Sequence, residues 1–289
     1  CLYAAEAVTV NRSTAEASKA RRDRAEAMWQ AGSISKVDFA QLESQYVSDE
    51  YQVVVAQTSL DNYKLQLKQL LELDITEEMN LAAPAIQESE VLSALPAKAE
   101  IYATALDAMP EIKRGELGVE SAELGIKQAR AGFFPSVSLS AGIGTGHMSG
   151  GGFESGSQVW NRFNENIGLS VSIPIFSNRK NRTAVNKARI AVSNSYLERQ
   201  NLEKQLLREV ESAYLDAVSA QSQYTAAREK QRYAQQSYDL TDEQFRVGMK
   251  NTVELITAQN ELTAARQELL QAKYMALLGI ELLDIYQGK

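Results

Sequence analysis

The side chains able to do chemistry are few and scattered. The one histidine, His147, sits in the run Gly144-Thr-Gly-His-Met-Ser-Gly-Gly-Gly152, and the one cysteine is Cys1. A zinc site draws three or four His, Cys or carboxylate ligands together, and no second histidine or cysteine stands near His147. No metal site is expected, and that run is more simply a surface connection. Nor does it open a helix with Lys-Ser/Thr, so it is not a phosphate cradle. Carboxylates such as Glu77 and Glu78 lie in a polar connection and read as solvated charge. A lone Cys1 forms no disulfide within the chain; it reads as a thiol within a helix, with a lipid-anchored cysteine as the alternative. No catalytic constellation and no cofactor site are predicted. What remains is a set of charges at matched places, Lys36 and Asp38 in one segment and Lys250 and Glu254 in another. Each can be an ordinary solvated first-turn charge or part of a functional tip, and the matched placement puts the two readings level.

Those charges belong to an internal repeat. At the offset that brings Gly32 onto Gly248, Trp29-Gln-Ala-Gly-Ser-Ile-Ser-Lys-Val-Asp-Phe39 falls on Phe245-Arg-Val-Gly-Met-Lys-Asn-Thr-Val-Glu-Leu255. Each segment has an aromatic, a glycine three residues on, a polar stretch, and Val-acid-apolar opening a new helix. The same offset pairs Ala4 with Ala220, Asp23 with Asp239, Ala56 with Ala272 and Leu67 with Leu283, which marks a structural duplication. Before Gly248, Leu206, Val210, Ala213, Ala217, Ala220, Tyr224 and Ala227 follow heptad spacing; after it, Leu255, Ala258, Leu262, Ala265, Leu269, Ala272, Ala276 and Gly279 do the same. Small residues at the seams predict close helix packing. Each glycine is expected to end a helix in the left-handed region and turn a helical hairpin. Without proline from Arg179 to Val247, that helix is predicted to reach on the order of 100 Å.

Two short segments have the other period. In Ser136-Val-Ser-Leu-Ser-Ala-Gly-Ile-Gly144 and Asn166-Ile-Gly-Leu-Ser-Val-Ser-Ile-Pro-Ile-Phe176, Val137, Leu139, Ile143, Ile167, Leu169, Val171 and Ile173 fall on one face, and small polar residues fall on the other. One face is oily; the other is Ser, Gly and Asn, as suits a crowded or water-filled barrel interior. About 9–11 residues is the length of a tilted strand crossing a bilayer. Phe153, Trp160 and Phe163 then read as anchors at the membrane interface, or else as a ligand platform in the connecting loop.

Composition agrees with this division. Over 289 residues there are only 5 prolines and 16 glycines, the latter concentrated between Gly132 and Gly168, so long elements enclose one local β insertion. The formal charge of −7 gives no general basic surface, and nucleic-acid binding is not expected. No run of about 18 apolar residues is present, which excludes a transmembrane helix, and the first residues read as mid-helix, without a signal-peptide core. The predicted segments are 1–73, a first helical hairpin with its start missing; 74–110, a collar of strand or loop and a short helix; 111–132, a helix leading to the strands; 133–178, a strand pair with its loop; and 179–289, a second hairpin and the C-terminal end. The fold class is mainly α with a small β part. A soluble coiled-coil scaffold or adaptor is the competing reading, and it predicts charges on both strand faces.

The order helix, strand, glycine-rich loop, strand, long helix, glycine turn and returning helix resembles the TolC family of outer-membrane efflux proteins across essentially the whole chain. Ala131-Gly-Phe-Phe-Pro-Ser-Val-Ser-Leu139 is similar to the family's approach to an outward strand, Leu169-Ser-Val-Ser-Ile-Pro-Ile-Phe176 to its returning strand, and Val247-Gly248 with Val253-Glu-Leu-Ile-Thr-Ala-Gln259 to its periplasmic tip. The resemblance implies a homotrimer in the outer membrane of a Gram-negative cell, a shared twelve-stranded β-barrel in lipid and a long periplasmic α-barrel. It implies a passive exit duct of a tripartite efflux or type I secretion system, with no chemistry of its own, that meets a periplasmic adaptor (membrane fusion protein) and an inner-membrane transporter. Four strands per protomer are expected and two are present, so a first strand pair is expected upstream. The resemblance further implies tip turns and adaptor contacts at Gly32, Val247 and Gly248, closure by Asp38, Phe245 and Lys250, and a constriction at Glu254. Thr257 stands where a second acid is expected. Substrate identity is not legible.

Overall fold

The computed structural model describes residues 1–74, 79–82, 86–146, 160 and 162–289. His147, Glu77, Glu78 and Phe153 lie outside the described residues. The chain divides into two units, one formed by Cys1–Ala108 with Leu207–Lys289 and the other by Met109–Leu206.

The proline-free stretches with small or apolar residues every three or four positions fold as helices. In the first unit, α1 (Leu2–Gln30) and α2 (Lys36–Leu70) form one hairpin, joined by Ala4, Val8 and Leu60, with Ala5, Ala56 and Leu81 packed against them. Two short helices follow, α3 (Glu88–Val91) and α4 (Lys98–Ala108). The second hairpin is made by the later part of α6 (Lys180–Arg246) and by α7 (Thr252–Tyr286). Its seam holds Ala220, Tyr224, Ala227, Ala272 and Ala276, and Val91 of α3 closes it. A Cβ added at Gly279 would lie 2.9 Å from the Ala217 Cα, so glycine is what lets α6 and α7 approach this closely. The predicted seam residues Leu206, Val210, Ala213 and Ala217 are buried, as are Leu255, Ala258, Leu262 and Ala265; at the next position Leu270 is the buried leucine and Leu269 is half-buried. Around α3 and α4, Ile101 and Ala105 are fully buried, and the Gln221 amide donates to the carbonyls of Val91 at 3.1 Å and Ser93 at 2.9 Å.

Where α1 meets α7, Tyr3 meets Tyr274 edge-on at 6.1 Å, and a line of polar contacts runs beside it. Lys273 pairs with Glu6 at 3.0 Å, and the Tyr274 hydroxyl donates to the same carboxylate at 2.8 Å. Burial first, and then that carboxylate, push the Tyr274 hydroxyl up to about 12. Further along, the Gln267 amide donates to Asn11 at 3.3 Å, and the Gln259 amide donates to Ser18 at 2.6 Å and to Asp49 of α2 at 3.0 Å. Ser18 donates to Asp49 as well, Gln45 donates to Asp49 at 2.9 Å, and the Arg21 guanidinium donates to the Gln259 carbonyl. Ser18, Asp49 and Gln259 are all buried. Apolar seams thus hold each hairpin together, and a ladder of hydrogen bonds joins the two.

The second unit contains α5 (Pro110–Ala131), β1 (Ser136–Gly144), β2 (Asn164–Ser172) and the first part of α6. Pro110 occupies the first turn of α5, where its missing N–H is harmless. Along α5 and α6, Gly115 lies against Leu202, Tyr196 donates to Glu123 at 3.0 Å, and Asn181 donates to the Gly132 carbonyl. β1 and β2 pair antiparallel, with Val137 opposite Val171, Leu139 opposite Leu169 and Ile143 opposite Glu165.

The second strand is shifted from its predicted span. It begins at Asn164, the partner of Gly144, and ends at Ser172, the partner of Ser136, because β1 offers nothing beyond those residues. Pro174 also lacks the N–H a ladder needs. Ile173, expected on the oily face, therefore lies past the strand end, and Glu165 is added to that face at its far end.

Candidate functional site

Two turns in the first unit share one construction. In the first, Gly32 has φ +71°; in the second, Gly248 has φ +77°. Such values are strained for any residue carrying a Cβ. The Ser33 N–H donates to Met28 at 2.8 Å and the Gly32 N–H to Trp29 at 2.9 Å; at the matching positions Met249 donates to Gln244 at 2.8 Å and Gly248 to Phe245 at 3.0 Å. Both pairs close the end of a helix by satisfying its last carbonyls. Both following helices open on a reciprocal cap, Ser35 with Asp38 and Asn251 with Glu254. The signal was present in the sequence as Ser-x-x-Asp and Asn-x-x-Glu, the spacing of a capping box. The repeat is therefore the same in backbone hydrogen bonding, residue for residue, despite low identity.

The two turns differ in what their carboxylates meet. Asp38 accepts from the Ser35 hydroxyl at 2.7 Å and from the Thr252 hydroxyl at 2.9 Å, so it ties the first hairpin to the start of α7. Those two hydroxyls hold its carboxyl below the usual carboxylate range. Thr252 is buried and was not singled out from sequence, since nothing local marks it as a partner. Glu254 accepts from Lys250 and from the Asn251 N–H at 3.1 Å, and these hold its carboxyl low too. Within the chain, then, Lys250 is brought to Glu254 and Asp38 to Thr252. Phe245 is half-buried, Thr257 is exposed, and Thr257 donates to the Val253 carbonyl at 2.8 Å. Trp29, the counterpart of Phe245, stacks on Phe39 across its turn at 5.3 Å. Val247 and Met249 at the second turn are exposed, as are Val37 and Val253, which are equivalent in the repeat.

In the second unit the oily strand face is exposed along its length, from 66% at Val137 and 73% at Leu139 to 82% at Ile167. Ile143, Leu169 and Val171 share it. On the opposite face, largely exposed too, small side chains reach across the pair: a Cβ at Gly142 would lie 2.8 Å from the Asn166 side-chain Oδ1, and Ser140 donates to the Gly168 carbonyl at 3.3 Å. Among the described residues no group of three or more His, Cys, Asp or Glu could hold a metal ion, and no helix is long and apolar enough to cross a membrane.

The family model for outer membrane efflux proteins matches residues 101–279. Outer membrane protein TolC of Escherichia coli is 23% identical over 284 residues, covering 96% of this chain and 57% of TolC. The toluene efflux pump outer membrane protein TtgC of Pseudomonas putida is 26% identical over 226 residues, covering 76% of this chain and 43% of TtgC. The chain thus spans about half the length of the curated relatives it matches. Among solved structures, CusC superposes with a TM-score of 0.77 at 22% identity, over 99% of this chain and 65% of that one, so the two share a fold. With the family model covering more than half of its length, the chain belongs to the outer membrane efflux protein family.

Proposed function

We propose that the protein containing this chain is a passive exit duct, a homotrimer whose strands share a β-barrel in the outer membrane and whose hairpins form a periplasmic tunnel. The observation that carries this reading is the strand pair, oily on one exposed face and small and polar on the other. In lipid, unpaired backbone groups at an open sheet edge cost several kcal/mol each. The two strands among the described residues cannot close a barrel, so in this reading further strands of the protein and of its copies complete it. The duplicated hairpins support the tunnel, because each has an apolar inner seam and a polar flank suited to a neighbouring hairpin.

The duct meets a periplasmic adaptor at the turns, where exposed Val247 and Met249 flank Gly248 and where Gly32 makes the equivalent turn. An inner-membrane transporter supplies the energy in a tripartite efflux or type I secretion assembly. Segments 1–73 and 179–289 supply the tunnel arms, 74–110 a collar, and 111–132 and 133–178 the passage into the membrane. At the tip, Lys250 of one protomer meets Asp38 of the next in the closed state, with Phe245 packed beside them, and Glu254 and Thr257 line the constriction. The Lys250–Glu254 pair joins the residue before the Asn251 cap to the first turn of α7 and is only half-buried, so it is weak enough to exchange partners.

Single-channel recording of the full-length protein in planar bilayers tests this. Lys250→Ala and Asp38→Ala should each raise conductance, with a less than additive double variant. A full-length protein that stays soluble without detergent refutes the duct, and unchanged conductance in both single variants refutes the tip assignment alone.

A further inference from the structure

The chain is acidic overall, yet the stretch from residue 124 to 197 is basic at one end of the strand pair. Lys127 and Arg130 lie in the last turns of α5, just before β1; Arg179 immediately precedes α6, Lys180 and Arg182 lie in its first turn, and Lys187 and Arg189 follow further along it. The acids in that stretch are Glu154, which falls between the two strands in sequence, and Glu165, at the end of β2 far from these cations. The two groups of cations are brought together by the helix pair, since Asn181 donates to the Gly132 carbonyl. All of these side chains are exposed. Elsewhere the chain uses its cations in ion pairs, as at Lys98–Glu211, Lys273–Glu6 and Arg246–Asp242. Among the described residues none of the root cations has an ion-pair partner.

Between this basic root and the oily strand face stands a belt of apolar side chains. Phe133 and Phe134 precede β1, and Ile175 and Phe176 follow β2, the last two 96% and 85% exposed. The chain then turns through Asn178 at φ +46° and Arg179 at φ +62° before entering α6. Left-handed backbone is uncommon for residues with a side chain and persists where the surroundings fix it. Along the chain axis the order is therefore oily strand face, aromatic belt, unpaired cations. Hydrocarbon, interface and anionic headgroups follow one another in the same order in one leaflet of a bilayer.

We infer that the root of the strand pair is a binding surface for anionic phospholipid, with the phosphates of the periplasm-facing leaflet seated on Arg130, Arg179, Lys180 and Arg182. This rests on the reading of the strands as bilayer-crossing. Arginine suits the role because its planar guanidinium can hold two phosphate oxygens at once. The surface would retain a shell of anionic lipid at the junction of barrel and tunnel and fix the depth of the barrel.

The full-length protein carrying Phe134→Trp with Trp29→Phe, Trp160→Phe and any tryptophan outside this chain likewise replaced, reconstituted in vesicles, gives a single reporter at the belt. Its fluorescence is quenched by brominated lipid, either phosphatidylglycerol or phosphatidylcholine, mixed into an unbrominated background. The expected result is binding of phosphatidylglycerol over phosphatidylcholine by roughly fivefold or more, a preference of the size that one or more surface cations supply. The combined variant Arg130→Gln, Arg179→Gln, Lys180→Gln and Arg182→Gln should bring the ratio to within about twofold. In the unaltered root, about 1 M salt should do the same, because the Debye length shrinks to about 3 Å. Equal quenching by both lipids at low salt overturns the proposal, as does a preference that survives both the combined variant and high salt. No quenching by either lipid refutes the bilayer placement itself, a different failure from the loss of headgroup preference.

Discussion

Truncating Gln259 to alanine should loosen the joint between the two hairpins far more than its size suggests. Its amide donates to Ser18 at 2.6 Å and to Asp49 at 3.0 Å, and its carbonyl accepts from Arg21. The variant leaves the Asp49 carboxylate buried with Ser18 and Gln45 alone. A hydrogen bond to a charged group is worth about 1.5–3 kcal/mol and a neutral one about 1 kcal/mol. The bonds to Ser18 and Arg21 are partly replaced by regrouping, so the expected cost is about 2–4 kcal/mol. Since 1.36 kcal/mol is tenfold, amides of α1 and α7 near this joint should exchange hydrogen about 30-fold to several hundredfold faster, if they exchange by local opening. Hydrogen-exchange mass spectrometry on the full-length assembly reads this directly. Gln223→Ala makes the same chemical change at an exposed site on α6, where the amide reaches only Ser219 in its own helix at 3.1 Å. It should stay within about 0.5 kcal/mol of the parent. Equal exchange in both variants would refute the buried ladder as the tie between hairpins.

Gly32→Ala and Gly248→Ala should each destabilise by about 1–2 kcal/mol through positive φ, whereas Gly118→Ala, mid-helix with nothing within 4 Å of the new Cβ, should stabilise by up to about 1 kcal/mol; chemical unfolding of the three checks the contrast. Leu169→Arg or Val171→Arg should impair insertion by roughly 2–4 kcal/mol near the bilayer midplane and Ser170→Arg less, read as the yield of assembled protein in membranes. The Asp38 and Glu254 carboxyls are held low in the fold, so their stabilisation is complete above the ordinary carboxylate values near 4 and lost as pH falls through the lowered ones. Exchange at the two turns should therefore be flat from pH 7 to about pH 5, after correction for intrinsic rates, and rise below about pH 4.

The hairpins were legible because their signals are local and periodic. The seam alanines, the two glycines and the aromatic three residues before each mark the same turn twice, and the backbone repeats it bond for bond. The limits of β2 were not legible, since a strand ends where its partner ends, and that depends on the register of Ser136 against Ser172. Thr252 and Gln259 were missed for a related reason. Each is a small or polar residue at a helix position that reads as solvent-facing, and only the other hairpin, more than 200 residues away in sequence, gives it a partner. The basic root escaped notice because a net charge averages over the chain what the fold concentrates at one end of a strand pair.

The unequal tips bear on how a ring of such chains would yield. Six copies of one hairpin would meet at six identical boundaries, and any force that parted one would act alike on all. A chain that carries two hairpins alternates two kinds of boundary. The one inside each chain is pinned by Asp38 on Thr252 and by the cluster at Asp49, while the one between chains has only what neighbouring surfaces provide. In the proposed homotrimer the duplication would supply an aperture with fixed ribs and free ribs, in which three boundaries could part while three stay shut.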